Sequence, residues 1–189
     1  MAEIKATAQK QAKPLTPYHH GDLKEALIHH ALQIIEAEGI SRLTLRKTAR
    51  LAGVSHAAPA HHFKDMKGLL AAIAQKGFAQ LKQTVGAALQ KIPPEALQEK
   101  LKQVGLSYIN FALAHPAYFK VMYHPELSEK NNFPELHRQS QATFSLLQDL
   151  LKECQEKGVV APGDIGAFSL FMWSSVHGFA VLAMDQQLN

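Results

Sequence analysis

The chain has 189 residues, of which 47% are hydrophobic, ordinary for a globular protein and enough for one sizeable core or for a small module beside a larger one. Its single cysteine, Cys154, excludes an intramolecular disulfide framework and points to a reducing, cytoplasmic compartment. The net charge is only +4, but residues 40–90 carry eight basic side chains against one acidic one, Asp65, while the flanking segments are slightly acidic. Such a focus of positive charge suggests a polyanion footprint there and another role for the remainder.

Residues 1–17 are polar, hold Pro14 and Pro17, and have no apolar leader-like run, so they are expected to form a disordered arm. From Asp22 the apolar period becomes helical, with Leu23, Leu27, Ala31, Ile34 and Ile35 on one stripe. Asp22 is expected to cap this helix and Gly39 to end it in a left-handed conformation. Thr44 then caps a short helix over 45–52, stopped at Gly53, and Ser55 is expected to cap another over 56–62. Asp65 can cap a long helix reaching about residue 90, before Lys91-Ile92-Pro93-Pro94 breaks the chain. Further helices are predicted over 95–114, 116–123, 134–157 and 162–184, with Pro162 at the first position of the last. No strand alternation or repeat is found, so the fold class is all-α.

The segment Thr44-Leu45-Arg46-Lys47-Thr48-Ala49-Arg50-Leu51-Ala52-Gly53-Val54-Ser55 has the mechanics of a helix-turn-helix. Two helices that cross closely need a small residue at the crossing, which Ala49 supplies, and the turn needs a positive φ, which Gly53 supplies. Leu45, Val54 and Phe63 can fill the small core beneath. Arg42, Arg46, Lys47, Lys64 and Lys67 surround the second helix, whose N-terminal side would enter a major groove.

Together with Tyr18-His19-His20-Gly21-Asp22-Leu23, His56-Ala57-Ala58-Pro59, His62-Phe63 and Gly68-Leu69-Leu70, this segment resembles the N-terminal domain of the TetR family over residues 18–78. A second motif, Trp173-x-x-x-His177-Gly178, resembles the C-terminal domain of one TetR subgroup. The resemblance implies three regions: the arm, a three-helix DNA-binding domain over 18–66, and a helical ligand-binding and dimerisation domain over 67–189. It also implies roles. Thr44 would hold a phosphate; Ser55, His56 and Ala57 would face the groove; His61, His62, Lys64 and Lys67 would grip the backbone; His19 and His20 would extend from the arm. Ala60 and Met66 depart from the family pattern, which has an aromatic and a lysine there, and the adjacent Lys67 can substitute for the second. An alternative is therefore a TetR-fold ligand-binding or interaction protein with a weakened DNA grip.

In the helical body, Tyr108, Phe111, Tyr118, Met122, Tyr123, Phe144, Trp173 and His177 are the candidate lining of a mostly apolar effector cavity, with His115 and Ser174 as further polar handles. Each aromatic is equally suited to plain core packing, and His177, among apolar neighbours, needs either a protein partner or a ligand. The run between Asp164 and Asp185 holds no charge. Its Gly166, Ser169, Ser174, Ser175, His177 and Gly178, and the lack of a flanking Lys/Arg cluster, argue against a membrane span. A helix apolar all round is otherwise covered on both sides, here by a second subunit. The family uses this helix with one following it in a four-helix dimer interface, whereas this chain reaches Asn189 first.

Catalysis is not expected. The pairs His19-His20, His29-His30 and His61-His62 do not have the spacing that puts two ligands on one helix face, and no phosphate loop or nucleophile elbow occurs. No cofactor or metal site is expected. The reading is a homodimeric regulator with two partners: a palindromic double-stranded DNA operator and a small-molecule effector.

Overall fold

The computed structural model describes residues 20–188, and all regular structure among them is helical. Helix α1 spans His20–Glu38, α2 Leu45–Leu51, α3 Ala58–Phe63 and α4 Met66–Leu89. The body adds α5 (Leu97–Ala114), α6 (Pro116–Met122), α7 (Pro134–Glu156) and α8 (Ile165–Met184). Short 3₁₀ turns occupy Ile40–Arg42, Pro125–Leu127 and Lys130–Asn132.

Caps explain most of the boundaries. Thr44 accepts the Lys47 N–H at 3.1 Å, and Asp65 accepts the Gly68 N–H at 2.8 Å. Gly53 and Gly158 take positive φ of 68° and 70°. Three boundaries differ from expectation. Helix α1 begins at His20, so Asp22 lies within its first turn and is not its cap. Gly39 has φ 87° and ψ 162°, which is not the left-handed helical well but an extended region that essentially only glycine reaches. Helix α8 starts after Asp164, whose carboxylate accepts the Ala167 N–H at 2.7 Å. That cap sets the start, and Pro162 remains in the preceding loop.

Helix α4 is the spine. It packs against α5, α6 and α7 in the body and against α1 and α3 in the N-terminal unit. Leu69, Ile73 and Ala74 on it are completely buried. Gly77 permits the close approach of α6, because a Cβ there would lie 2.6 Å from the Met122 sulfur. One continuous apolar cluster runs from Leu27 and Ile34 on α1 through Phe63 and Ile73 to Phe111, Phe119 and Ala180. No gap in packing separates the N-terminal unit from the body.

Candidate nucleic-acid interface and ligand cavity

The N-terminal unit follows the expected mechanics closely. Ala49 is fully buried where α2 meets α3, and its carbonyl accepts the Val54 N–H at 3.0 Å across the Gly53 turn. Phe63 is buried beneath, with Leu45 and Val54 packed half-buried against it. Thr48, which carried no expectation, is also fully buried and returns its hydroxyl proton to the Thr44 carbonyl at 3.0 Å. Thr44 accepts with its hydroxyl oxygen and keeps its own O–H proton for another acceptor, the chemistry a phosphate contact requires.

Ser55 does not cap α3 with its side chain. The helix starts at Ala58, and the Ser55 carbonyl instead accepts the Ala58 N–H at 3.1 Å. Ser55, His56 and Ala57 therefore form an exposed turn in front of α3, with Pro59 fixing its first turn. His61 is exposed, while His62 is half-buried beside the Phe63 ring. Ala60 is exposed and Met66 packs against the core, so the second departure from the family pattern serves packing.

Arg42, Arg46, Arg50, Lys64, Lys67 and Lys82 are exposed. Lys47 is engaged elsewhere: it is half-buried and ion-paired with Glu38 on α1. By donating to Glu38 it holds that carboxyl below its ordinary range. This tie fastens α2 to α1, so Lys47 is a less direct phosphate ligand than the sequence suggests. Lys76 is likewise half-buried and ion-paired with Glu25. Lys64 stands in a γ-turn with φ 68° and ψ −59°, closed by the Asp65 N–H donating to the Phe63 carbonyl at 2.8 Å. A non-glycine residue in that geometry is strained. Gly68 makes the turn possible, since a Cβ there would sit 1.8 Å from the Phe63 carbonyl oxygen. His19 and the His20 side chain lie outside the described residues.

In the body, a cavity of about 750 Å³ opens between α4, α5, α7 and α8. Of the expected lining, Tyr108, Tyr123, Phe144 and Trp173 are on its wall. Phe111 and Met122 are not, because they are buried in the core between α4 and its neighbours. Tyr118 faces a separate small hollow against Ile28 and His29 of α1. Ser174 is exposed on the outside of α8, and His115 is half-buried beside Gln80, away from the cavity. Helical period gives the buried face of each element, but not whether that face meets a neighbour or a void.

The wall is completed by aliphatic residues that the aromatic-weighted reading passed over, among them Leu81, Val85, Val104, Ile109 and Leu147. His137, Ser140 and Gln141 of α7 contribute polar atoms. Leu81, Val85 and Val104 sit on the inner stripes of amphipathic helices, a visible signal in the sequence, though one shared with ordinary core.

His177 stands behind the wall with a protein partner. Its Nδ1 is 2.8 Å from the Tyr108 hydroxyl, which in turn donates to the Tyr123 hydroxyl at 2.9 Å. The imidazole stacks on Phe119 at 5.3 Å and meets the edge of Tyr123 at 4.6 Å. Burial lowers the His177 pKa and raises those of Tyr108 and Tyr123, so all three groups are held neutral.

Outside the cavity, α8 presents Leu170, Phe171, Phe179 and Leu182 to solvent, with Phe171 68% exposed. The helix is long and apolar enough to cross a membrane. Its inner face packs on α5 and α7.

Comparison with known proteins agrees with this architecture. Residues 27–73 match the family described as bacterial regulatory proteins, tetR family, and residues 101–189 match a tetracyclin repressor-like C-terminal domain. The chain belongs to the TetR family of bacterial regulatory proteins. It is 29% identical over 143 residues to an Escherichia coli K12 protein described as probable acrEF/envCD operon repressor, covering 73% of this chain and 64% of that one. The chain thus spans less than two thirds of the length of the curated relatives it matches.

Among solved structures, a protein of unknown function from Rhodococcus sp. RHA1 is 33% identical with a TM-score of 0.78, covering 92% of this chain and 89% of that one. FadR of Bacillus subtilis, solved with stearoyl-CoA, shares the fold at 16% identity and a TM-score of 0.73, covering 87% and 89%. The matched family and FadR are described as regulators.

Proposed function

We propose that the protein is a homodimeric, cytoplasmic repressor that reads a palindromic operator and is released by a small, mostly apolar effector. The observation that carries this reading is the course of α4. Its first turn bears Lys67 beside the strained Lys64 turn, and its later turns supply Phe78, Leu81 and Val85 to the cavity wall. A helix of 24 residues is about 36 Å of stiff rod, so a ligand that moves one end moves the other. The effector must favour one dimer geometry over the other, or nothing switches.

The exposed apolar face of α8 supports the dimer, as one contribution to the four-helix interface that the resemblance implied. Ser174, Ser175 and Gly178 lie among the large residues of that face and leave room for a partner's side chains. Trp173 on the cavity wall and His177 bonded to Tyr108 support the Trp-x-x-x-His-Gly subgroup. FadR, which shares the fold, is solved with stearoyl-CoA, a ligand with a long apolar acyl chain.

On the DNA side, Thr44, Arg42, Arg46, Lys64 and Lys67 would grip phosphates, and Ser55, His56 and Ala57 would face bases. The test is selection of the purified protein against a random duplex library, followed by binding to the winner across a salt series. A palindromic winner whose affinity falls steeply with salt is expected. In the same assay Lys67→Ala weakens binding to every duplex and reduces the salt slope by about one unit, whereas His56→Ala changes the preferred sequence. Absence of any enriched sequence overturns the operator reading in favour of a TetR-fold protein without a DNA grip.

A further inference from the structure

Taking the cavity as an effector site, two features of its wall narrow the chemistry it accepts. The first is charge. No Asp or Glu lines the cavity, and its one lysine, Lys102, is exposed at the rim and ion-paired with Glu99. A cation drawn into this apolar space would give up its hydration and meet no acid, and an anion would find only the exposed, already paired Lys102 and the imidazole of His137.

The second feature is the hydrogen-bonded chain of His177, Tyr108 and Tyr123. A neutral imidazole has one N–H and each tyrosine one O–H. Two internal bonds therefore leave one proton over, and the position of the imidazole proton decides which. With the proton on Nε2, both hydroxyls would point back toward Nδ1. The hydrogen bond between the two tyrosines runs the other way, from the Tyr108 hydroxyl to the Tyr123 oxygen. With the proton on Nδ1, His177 donates to Tyr108, Tyr108 donates to Tyr123, and the Tyr123 O–H is left at the cavity wall. The Tyr108 proton is spent on Tyr123, so Tyr108 accepts from His177 Nδ1, and the second arrangement is the one the geometry carries.

We propose that the cavity binds an uncharged, mostly apolar molecule bearing a hydrogen-bond-accepting oxygen, a ketone or ester, which takes the free proton of Tyr123 at the end of the His177–Tyr108–Tyr123 donor chain. Tyr123 is the contacting residue, and His177 and Tyr108 are positioning residues that fix the direction of its proton. The inference rests on the effector reading of the cavity, but fails separately from it.

Trp173 is the only tryptophan of the chain and lies on the cavity wall, so its fluorescence reports occupancy. The experiment titrates the full chain with four probes of equal carbon number: methyl decyl ketone, dodecane, dodecanoate and dodecylammonium. The ketone is expected to bind about tenfold tighter than dodecane, the worth of one hydrogen bond, and tighter than either ion. In Tyr123→Phe its advantage over dodecane is expected to fall below about threefold. Binding of either ion as tight as that of the ketone overturns the inference, as does an undiminished ketone preference in Tyr123→Phe. Binding of none of the four to folded protein overturns the effector reading itself, and the inference with it. Should Tyr123→Phe lose cooperative melting, the ranking of the four probes on the unaltered chain decides.

Discussion

Helices α4 and α8 are alike in sequence and opposite in use. Both are long, both are dominated by apolar residues, and each begins at an aspartate that accepts a backbone N–H three residues on. Yet α4 has ten buried residues and α8 only Ser169 and Ala180. The difference lies in neighbours. Helix α4 is enclosed by α1, α3, α5, α6 and α7, whereas α8 packs chiefly on α5 and α7 and leaves Phe171 and Phe179 outside. Hydrophobicity states what a helix requires, and burial within one chain states how much of that requirement the chain meets. In α8 the remainder is the strongest support for a second subunit.

Substitutions can break or sharpen this contrast. The largest effect is expected at Gly68 in the first turn of α4, where any Cβ meets a backbone oxygen that no rotamer change can move. Gly68→Ala should cost about 4 kcal/mol or abolish cooperative thermal unfolding. Ile73→Ala, at a fully buried position on α4, should cost about 3 kcal/mol by denaturant titration.

The two caps should behave alike, because their geometry is the same. Asp65→Ala and Asp164→Ala are each expected to cost about 1 kcal/mol, and a large inequality between them would mean that the helix starts are not equivalent. Phe171→Ala on the outer face of α8 should change the stability of the isolated chain by less than about 0.5 kcal/mol. It should nonetheless lower the dimer fraction measured by sedimentation. Equal unfolding penalties for Ile73→Ala and Phe171→Ala in dilute monomer would refute the contrast.

A smaller effect concerns pH. Burial depresses the folded pKa of His177, so the unfolded chain binds more protons than the folded one between that depressed value and the ordinary imidazole pKa of about 6.5. Its contribution to stability is complete above that ordinary value and is lost as pH falls below it. His177→Phe should flatten this acid limb in a series of melting curves.

The helix order was legible because caps and breakers are local. Thr44, Gly53, Asp65 and the Pro93-Pro94 pair act within a few residues of themselves, and each marked a boundary the structure keeps. Expectations that depended on distant partners fared less well. The tie between Lys47 and Glu38 joins two helices, and nothing near Lys47 in sequence announces it. Phe111 and Tyr108 are both aromatics of helix α5, yet one fills the core and the other lines a void, a distinction made by α8 and α7 from the far end of the chain. The Ser55 and Pro162 expectations failed for a third reason: a suitable residue type stood near a helix start, but a turn or a better-placed aspartate set the actual one.

The continuous cluster linking α1, α4 and α6 bears on module exchange between regulators. Tyr118 of α6 rests against Ile28 of α1, and Lys76 of α4 reaches Glu25 of the same helix. A chimaera joined just before α4 would therefore cut through packed side chains and not through a linker. A workable graft would carry the α1 surface that meets α6 along with the new reading head, so that the recipient body recognises the donor as its own.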